Sequence, residues 1–205
     1  MRTLVIDSAT EACSAALFDD SKLLDGRYRV IGRGHAERLV PMIAELPDKG
    51  RAERIAVSLG PGSFTGVRIG LAAARALGLA WQAEVLGYPT LALVAAMART
   101  REAGPVTVCM SGGHGEWFVQ DFGADGGRET DLASLPPPQA AGSAHEQVAG
   151  SQAEALVALR GHGTALPLLP DAREFPLLPN GLLDSDLSPI YGRGPDARLP
   201  GRVDD

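Results

Sequence analysis

The chain has 205 residues, 45% of them apolar, enough to bury a real core in one domain or two small lobes. Its net charge is −6, and its 17 arginines and two lysines are scattered, which argues against a protein that grips nucleic acid by itself through a clustered basic face. Two cysteines, Cys13 and Cys109, are too few and too far apart for a disulfide framework and read as reduced core thiols.

In chain order, "TLVIDS" (3–8) is a β-branched, apolar run ending in Asp, followed by "CSAALF" (13–18) and, across "DDSK", by "LLDGRYRV" (23–30); together they predict three antiparallel strands in a meander. "HAERLVPMIAEL" (35–46) puts His35, Leu39, Met42, Ile43 and Leu46 on one helical stripe, with Pro41 favouring a start near Glu37 or Arg38. "RIAVSLG" (54–60) is a buried strand. A second helix is expected from Gly66 to about Gln82 with Thr65 as its cap, and a third over "TLALVAAMAR" (90–99) with Thr90 as its cap. A meander followed by helix, strand and helix is the order of a ribonuclease H-like half, in which the later strand joins the meander in parallel.

Beyond "REAG" the pattern restarts with "PVTVCM" (105–110) and "EWFVQDF" (116–122) across the turn "SGGHG". Residues 123–144 read as a loop stiffened by "LPPPQ". A weak strand at 147–149, a helix at 152–159 and a proline-punctuated tail complete a poorer second half. The expected organisation is α/β, with two related halves at 1–100 and 101–205, the second reduced. No apolar run reaches the ~18 residues that span a bilayer, and Met1-Arg2 leads straight into a strand, so a cytosolic protein without membrane contact is expected.

The run "GPGSFTGVRIGLAAARALGLA" (60–80) raises the question of an active site. It lacks the lysine of a Walker loop and the spacing of a dinucleotide fingerprint. Gly66, Gly70, Ala74 and Gly78 recur every fourth residue as one bare ridge on the second helix. Each interior glycine costs roughly 0.5–1 kcal/mol relative to alanine, so a closely approaching element must compensate, either the protein's own sheet or another chain. Val67, Leu71, Leu77 and Leu79 flank the ridge, and Arg68 and Arg75 lie on nearly one line as a solvated edge or as contacts to a partner's carboxylates or a nucleotide phosphate.

"VIDSATEACSAALF", "GHAERLVPMI", "GPGSFTGVRIGLAAARALGLA", "GHGEWFVQDF" and "SPIYGRGPDARLPG" resemble, in order, the TsaB (YeaZ) family, a subunit of the bacterial machinery that makes N6-threonylcarbamoyladenosine at tRNA position 37. The resemblance implies an ASKHA (actin-like ATPase) fold and a non-catalytic, dimerising scaffold that holds the catalytic paralogue TsaD, or a second copy of itself, through the first two helices. Carried to this chain, the partner-binding residues are His35, Leu39, Ile43, Gly66, Val67, Gly70, Ala74 and Gly78; if the ridge faces a partner, Gly70→Leu is expected to leave the monomer folded. A TsaE-like ATPase is a further implied partner, and tRNA is met only through the complex. The catalytic paralogue carries two metal-binding histidines four apart where this chain has Thr90 and Val94, so no metal, cofactor or catalytic residue is expected.

"DSAT" (7–10) resembles the first phosphate hairpin of the fold, which makes Asp7 and Thr10 candidate nucleotide contacts, although Ala9 stands where a glycine is usual. The family's turn at 111–115 begins with Asp and contains Arg, whereas Ser111 and Gly113 stand here. Two enzyme readings are alternatives to the scaffold. One is an ATP-dependent phosphotransferase using Asp7. The other is a glycoprotease-like peptidase, for which no Ser-His-Asp set, H-E-x-x-H motif or activated Cys is visible.

Overall fold

A computed structural model describes residues 1–142 and 145–192. The last part of the family-like tail, 193–201, lies outside them, as do the remaining residues to 205 and positions 143–144 of the expected loop. The first half runs β1 (Arg2–Asp7), β2 (Ala12–Asp19), β3 (Lys22–Val30), α1 (His35–Ala44), β4 (Arg54–Ser58), α2 (Phe64–Trp81), β5 (Glu84–Tyr88) and α3 (Thr90–Arg101). The second runs β6 (Val106–Gly113), β7 (Glu116–Phe122), β8 (Ala133–Leu135), α4 (Pro137–Ala140), β9 (Gln147–Ala149), α5 (Ala153–Arg160) and β10 (Thr164–Leu166).

Among the described residues these strands form two five-stranded sheets, ordered β3-β2-β1-β4-β5 and β10-β9-β6-β7-β8. In the first, β1 pairs antiparallel with β2 and parallel with β4, and β4 is parallel to β5. The second repeats the logic: β6 pairs antiparallel with β7 and parallel with β9. Two such halves make the ribonuclease H-like, ASKHA architecture.

Alternation along the strands builds the layers, because successive side chains leave a strand on opposite faces. Leu4 and Ile6 of β1, with Leu17, Ile55 and Val57, face α1 and α2. Val5, Ala16, Phe18 and Ala56 face α3 and the inner side of the second sheet, where Val106, Val108, Met110 and Phe122 wait. The outer side of the second sheet is covered by Ala140, Ala153 and Leu156. Sandwiched between two sheets, α3 is apolar around its whole circumference, with Leu91, Leu93 and Val94 fully buried, as a helix without a solvent face must be.

The structure departs from the sequence expectations at several points. Ser63, not Thr65, caps α2: its Oγ accepts from the Gly66 N–H at 3.2 Å. Thr90 is not a cap either, because its hydroxyl is buried against Ser58 Oγ at 2.5 Å. α1 begins at His35 and carries Pro41 inside it; the early start follows from His35, whose Nε2 lies 3.3 Å from the Ala12 carbonyl in the core. The expected loop from 123 onward contains β8 and α4, short elements whose signals are too brief for periodicity. Residues 171–192, placed by sequence with the second half, return to the first: the Ala172 N–H donates to Ser14 Oγ at 3.0 Å, and the 3-10 turn Ala172–Leu177 packs on β1, β2 and β3.

Candidate functional site: the second helix, its outer face and the cleft beside it

The glycine ridge faces inward. A Cβ on Gly66 would stand 2.1 Å from the Ser8 carbonyl oxygen, one on Gly70 2.6 Å from Ser8 Oγ, and one on Gly78 2.4 Å from Val85 Cγ2. These are backbone and core atoms of β5 and of the turn after β1, so the missing side chains let α2 lie directly on its own sheet. The Ser8 hydroxyl uses the closeness, donating to the Gly66 carbonyl at 2.9 Å. The expectation that Gly66, Gly70, Ala74 and Gly78 meet a partner is therefore corrected, and with it falls the condition on which Gly70→Leu would leave the monomer folded. His35, Leu39, Ile43 and Val67 are likewise buried inside this chain. The helical stripes mark core, which is what an apolar stripe ordinarily marks.

The opposite face is not singled out by the sequence, which places Leu79 only as a flank of the ridge. On α1, Ala36, Val40 and Ala44 point outward, with Val40 54% exposed; on α2, Ala72, Ala76 and Leu79 do so, with Leu79 85% exposed. The two helices pack against each other. The available signal was compositional: α2 turns small apolar residues to solvent where long charged ones are usual. Its exposed charges are Arg68 and Arg75.

Both arginines hold the chain's own tail. Arg75 Nη2 donates to the Leu187 carbonyl at 3.1 Å, and Arg68 Nη2 to the Tyr191 hydroxyl at 3.0 Å. The Arg68 guanidinium also lies 3.4 Å from the centroid of Phe64, whose ring is 5.8 Å from that of Tyr191.

Behind this cluster a cleft of about 990 Å³ opens between the halves, bordered by Thr10, Gly62, Arg68, Met110, Phe118 and Tyr191. Of the four candidate nucleotide contacts, Thr10 and Arg68 border it, while Arg75 lies along the tail. Asp7 is 1% exposed and sits beneath the turn, its carboxylate accepting from the Ala9 N–H at 3.0 Å and the Tyr88 O–H at 3.1 Å. Burial pushes this carboxyl up from 3.8 to about 6, against the opposing pull of hydrogen bonds from Ala9, Tyr88 and Ser58. A carboxylate enclosed in this way organises a turn and is not presented to a substrate, which removes the group on which the phosphotransferase reading was built.

Other reactive groups are dispersed. Burial pushes the thiol of Cys13 up to about 11 and that of Cys109 to about 12, which keeps both protonated at neutral pH and leaves the peptidase reading without a nucleophile among them. His145 pairs with Glu129 at 2.8 Å, and His162 lies 3.2 Å from Glu146. Among the described residues no three His, Cys, Asp or Glu side chains are grouped to hold a metal ion, and no helix is long and apolar enough to cross a membrane.

Residues 29–136 match the family model described as TsaD: tRNA N6-adenosine threonylcarbamoyltransferase. The chain is 32% identical to a solved Pseudomonas aeruginosa protein described as similar to the peptidase YEAZ, with a TM-score of 0.73 over 84% of this chain and 87% of that one. The chain belongs to the TsaB (YeaZ) family. A second solved structure, YeaZ from Pseudomonas aeruginosa, is 28% identical with a TM-score of 0.77, covering 93% of this chain and 99% of that one. The Escherichia coli tRNA threonylcarbamoyladenosine biosynthesis protein TsaB is 35% identical over 147 residues, 66% of this chain and 63% of that protein. Its Haemophilus influenzae counterpart is 40% identical over 101 residues, 45% of this chain and 40% of that protein. The matches to these curated relatives thus span under two thirds of their length.

Proposed function

We propose that this chain serves the biosynthesis of N6-threonylcarbamoyladenosine at position 37 of tRNA as a non-catalytic subunit that docks and positions a TsaD-like catalytic paralogue. Family membership supports the pathway. The docking surface rests on one observation, the outward apolar residues of α1 and α2, with Leu79 the most exposed of them. Such a subunit acts by differential affinity, stabilising the partner's competent arrangement over idle ones. A second copy can cover the same face, giving a resting homodimer that competes with the productive complex. A TsaE-like ATPase joins the assembly, and tRNA is engaged through the complex as a whole, in keeping with a net charge of −6. The place of action is the cytosol.

Titration of the purified chain with its TsaD-like paralogue, read by calorimetry and light scattering, tests this. Leu79→Asp puts a charge in the middle of the surface while touching no core atom, and is expected to weaken association by at least about tenfold, roughly 1.4 kcal/mol. Unchanged association in that variant would place the interface elsewhere.

A further inference from the structure

Beyond Gly181 the chain runs back over the first half. Asp184 exchanges two backbone hydrogen bonds with Gly87 on the edge of β5, at 2.7 and 3.0 Å. The chain then passes along α2, where Arg75 holds the Leu187 carbonyl and Arg68 the Tyr191 hydroxyl. At Gly192 it meets the second half, where a Cβ on that residue would stand 2.3 Å from the Phe118 ring.

Leu187 and Ile190 of this strap pack against the first-half core, but its hydrogen bonds to the body are few. Past Asp184, one backbone hydrogen bond among the described residues ties it to the body, from the Ile190 N–H to the Leu59 carbonyl at 2.8 Å. A pocket of about 290 Å³ lies beneath it, between Leu59, Pro89, Asp184 and Ile190. Tyr191 is 50% exposed. Both acceptors offered to the arginines are neutral, and neither guanidinium meets a carboxylate among the described residues. Arg68 and Arg75 stand seven residues apart, about 10 Å along the helix axis, and share the outer stripe of α2 with Ala72, Ala76 and Leu79.

We infer that residues 187–192 are an autoinhibitory strap: they occupy the arginine line that two carboxylates of an incoming polypeptide take, and docking displaces them. This rests on the docking face proposed above. At the arginines the exchange favours the partner, because a hydrogen bond between a guanidinium and a carboxylate is roughly twice as strong as one to a neutral oxygen and can be bidentate, and the apolar docking face offsets the contacts that Leu187 and Ile190 give up. The partner it selects carries two acidic side chains about two helical turns apart, beside small apolar residues that accept Leu79. Removal of Tyr191 from the Phe64–Arg68 stack also uncovers the mouth of the cleft, so docking on the outer face and opening of the cleft are one event.

Amide hydrogen exchange of the full chain, alone and with excess TsaD-like paralogue, tests the strap. Exchange in 187–192 is expected to rise at least about fivefold in the complex, as for a segment that leaves its site, while β4 is unchanged. Tyr191→Ala removes the competitor and is expected to tighten association by about threefold to tenfold, whereas Arg68→Gln with Arg75→Gln weakens it by about tenfold. Strap exchange that stays the same or slows in the complex, or a Tyr191→Ala variant that binds no more tightly, overturns the inference. If Leu79→Asp disrupts the complex while the strap remains protected, the docking face stands and the strap alone falls. If Leu79→Asp has no effect, or no complex forms, the face assignment falls and takes the strap with it.

Discussion

Along α2, the inward Gly66, Gly70 and Gly78 leave no room for a side chain against Ser8 and Val85, and Ala74 is fully buried, while the outward Ala72, Ala76 and Leu79 meet solvent. Both faces are built from small or apolar residues, and one sequence pattern describes them. Their physical meanings differ. Inward, a missing side chain lets the helix lie close to its neighbours, and an added atom collides with backbone at Gly66 and with the Ser8 and Val85 side chains at Gly70 and Gly78. Outward, the same smallness leaves nothing in the way of a second polypeptide, and an added atom meets only water.

The sharpest way to break that comparison is to change one residue on each face. Gly66→Ala drives a Cβ against the Ser8 carbonyl, a backbone atom, and is expected to cost about 3 kcal/mol or more in denaturant unfolding. Leu79→Asp is expected to stay within about 0.5 kcal/mol of the parent in the same assay, its effect confined to association. A Gly66→Ala protein of parental stability would mean that α2 does not rest on the turn after β1.

The floor beneath the inward face gives the next effect. Asp7 holds the turn that carries Ser8, and its folded-state carboxyl titrates at about 6 against an ordinary 3.8. The folded chain therefore binds its proton more tightly than the unfolded chain. The stabilisation is complete below about 4 and is lost as pH rises through about 6, a difference of roughly 3 kcal/mol. Asp7→Asn, which can still accept from the Ala9 N–H, is expected to remove this slope. Unfolding midpoints of the two proteins between pH 4 and 7 would then converge at the acid end and separate at the neutral end in favour of the variant. Parallel curves would show that Asp7 does not titrate in this window.

The smallest effect belongs to the helix end that joins the two faces. Ser63→Ala removes the oxygen that accepts from the Gly66 N–H and is expected to cost about 1 kcal/mol by thermal or denaturant unfolding. Thr65→Ala, at the position the sequence favours as the cap, is expected to cost less.

Much of the first half is legible in the sequence alone. The three strands of the meander, the strand leading into the glycine run and the three helices all appear, because each is a strand-forming or helix-forming run long enough to read: an apolar stripe in α1, and continuous apolar runs in β1, β4 and α3. β8, α4 and β10 are not legible in this way, since three or four residues carry no usable period and owe their form to the strands and helices beside them. Within the site, the importance of 60–80 is visible, yet the eight residues expected to meet a partner are all buried in this chain. Arg68 and Arg75 do form one line, but what they hold comes from more than 100 residues further along the chain.

Local pattern by itself determined the element types, the family likeness and the presence of a helix that something must approach closely. Only the tertiary structure decided which neighbour does so, which face of α1 and α2 remains open, and that the tail crosses the arginine line. The reason is that periodicity reports where small or apolar side chains recur along one element. The partner that fills the space beside them is brought there by chain segments remote in sequence.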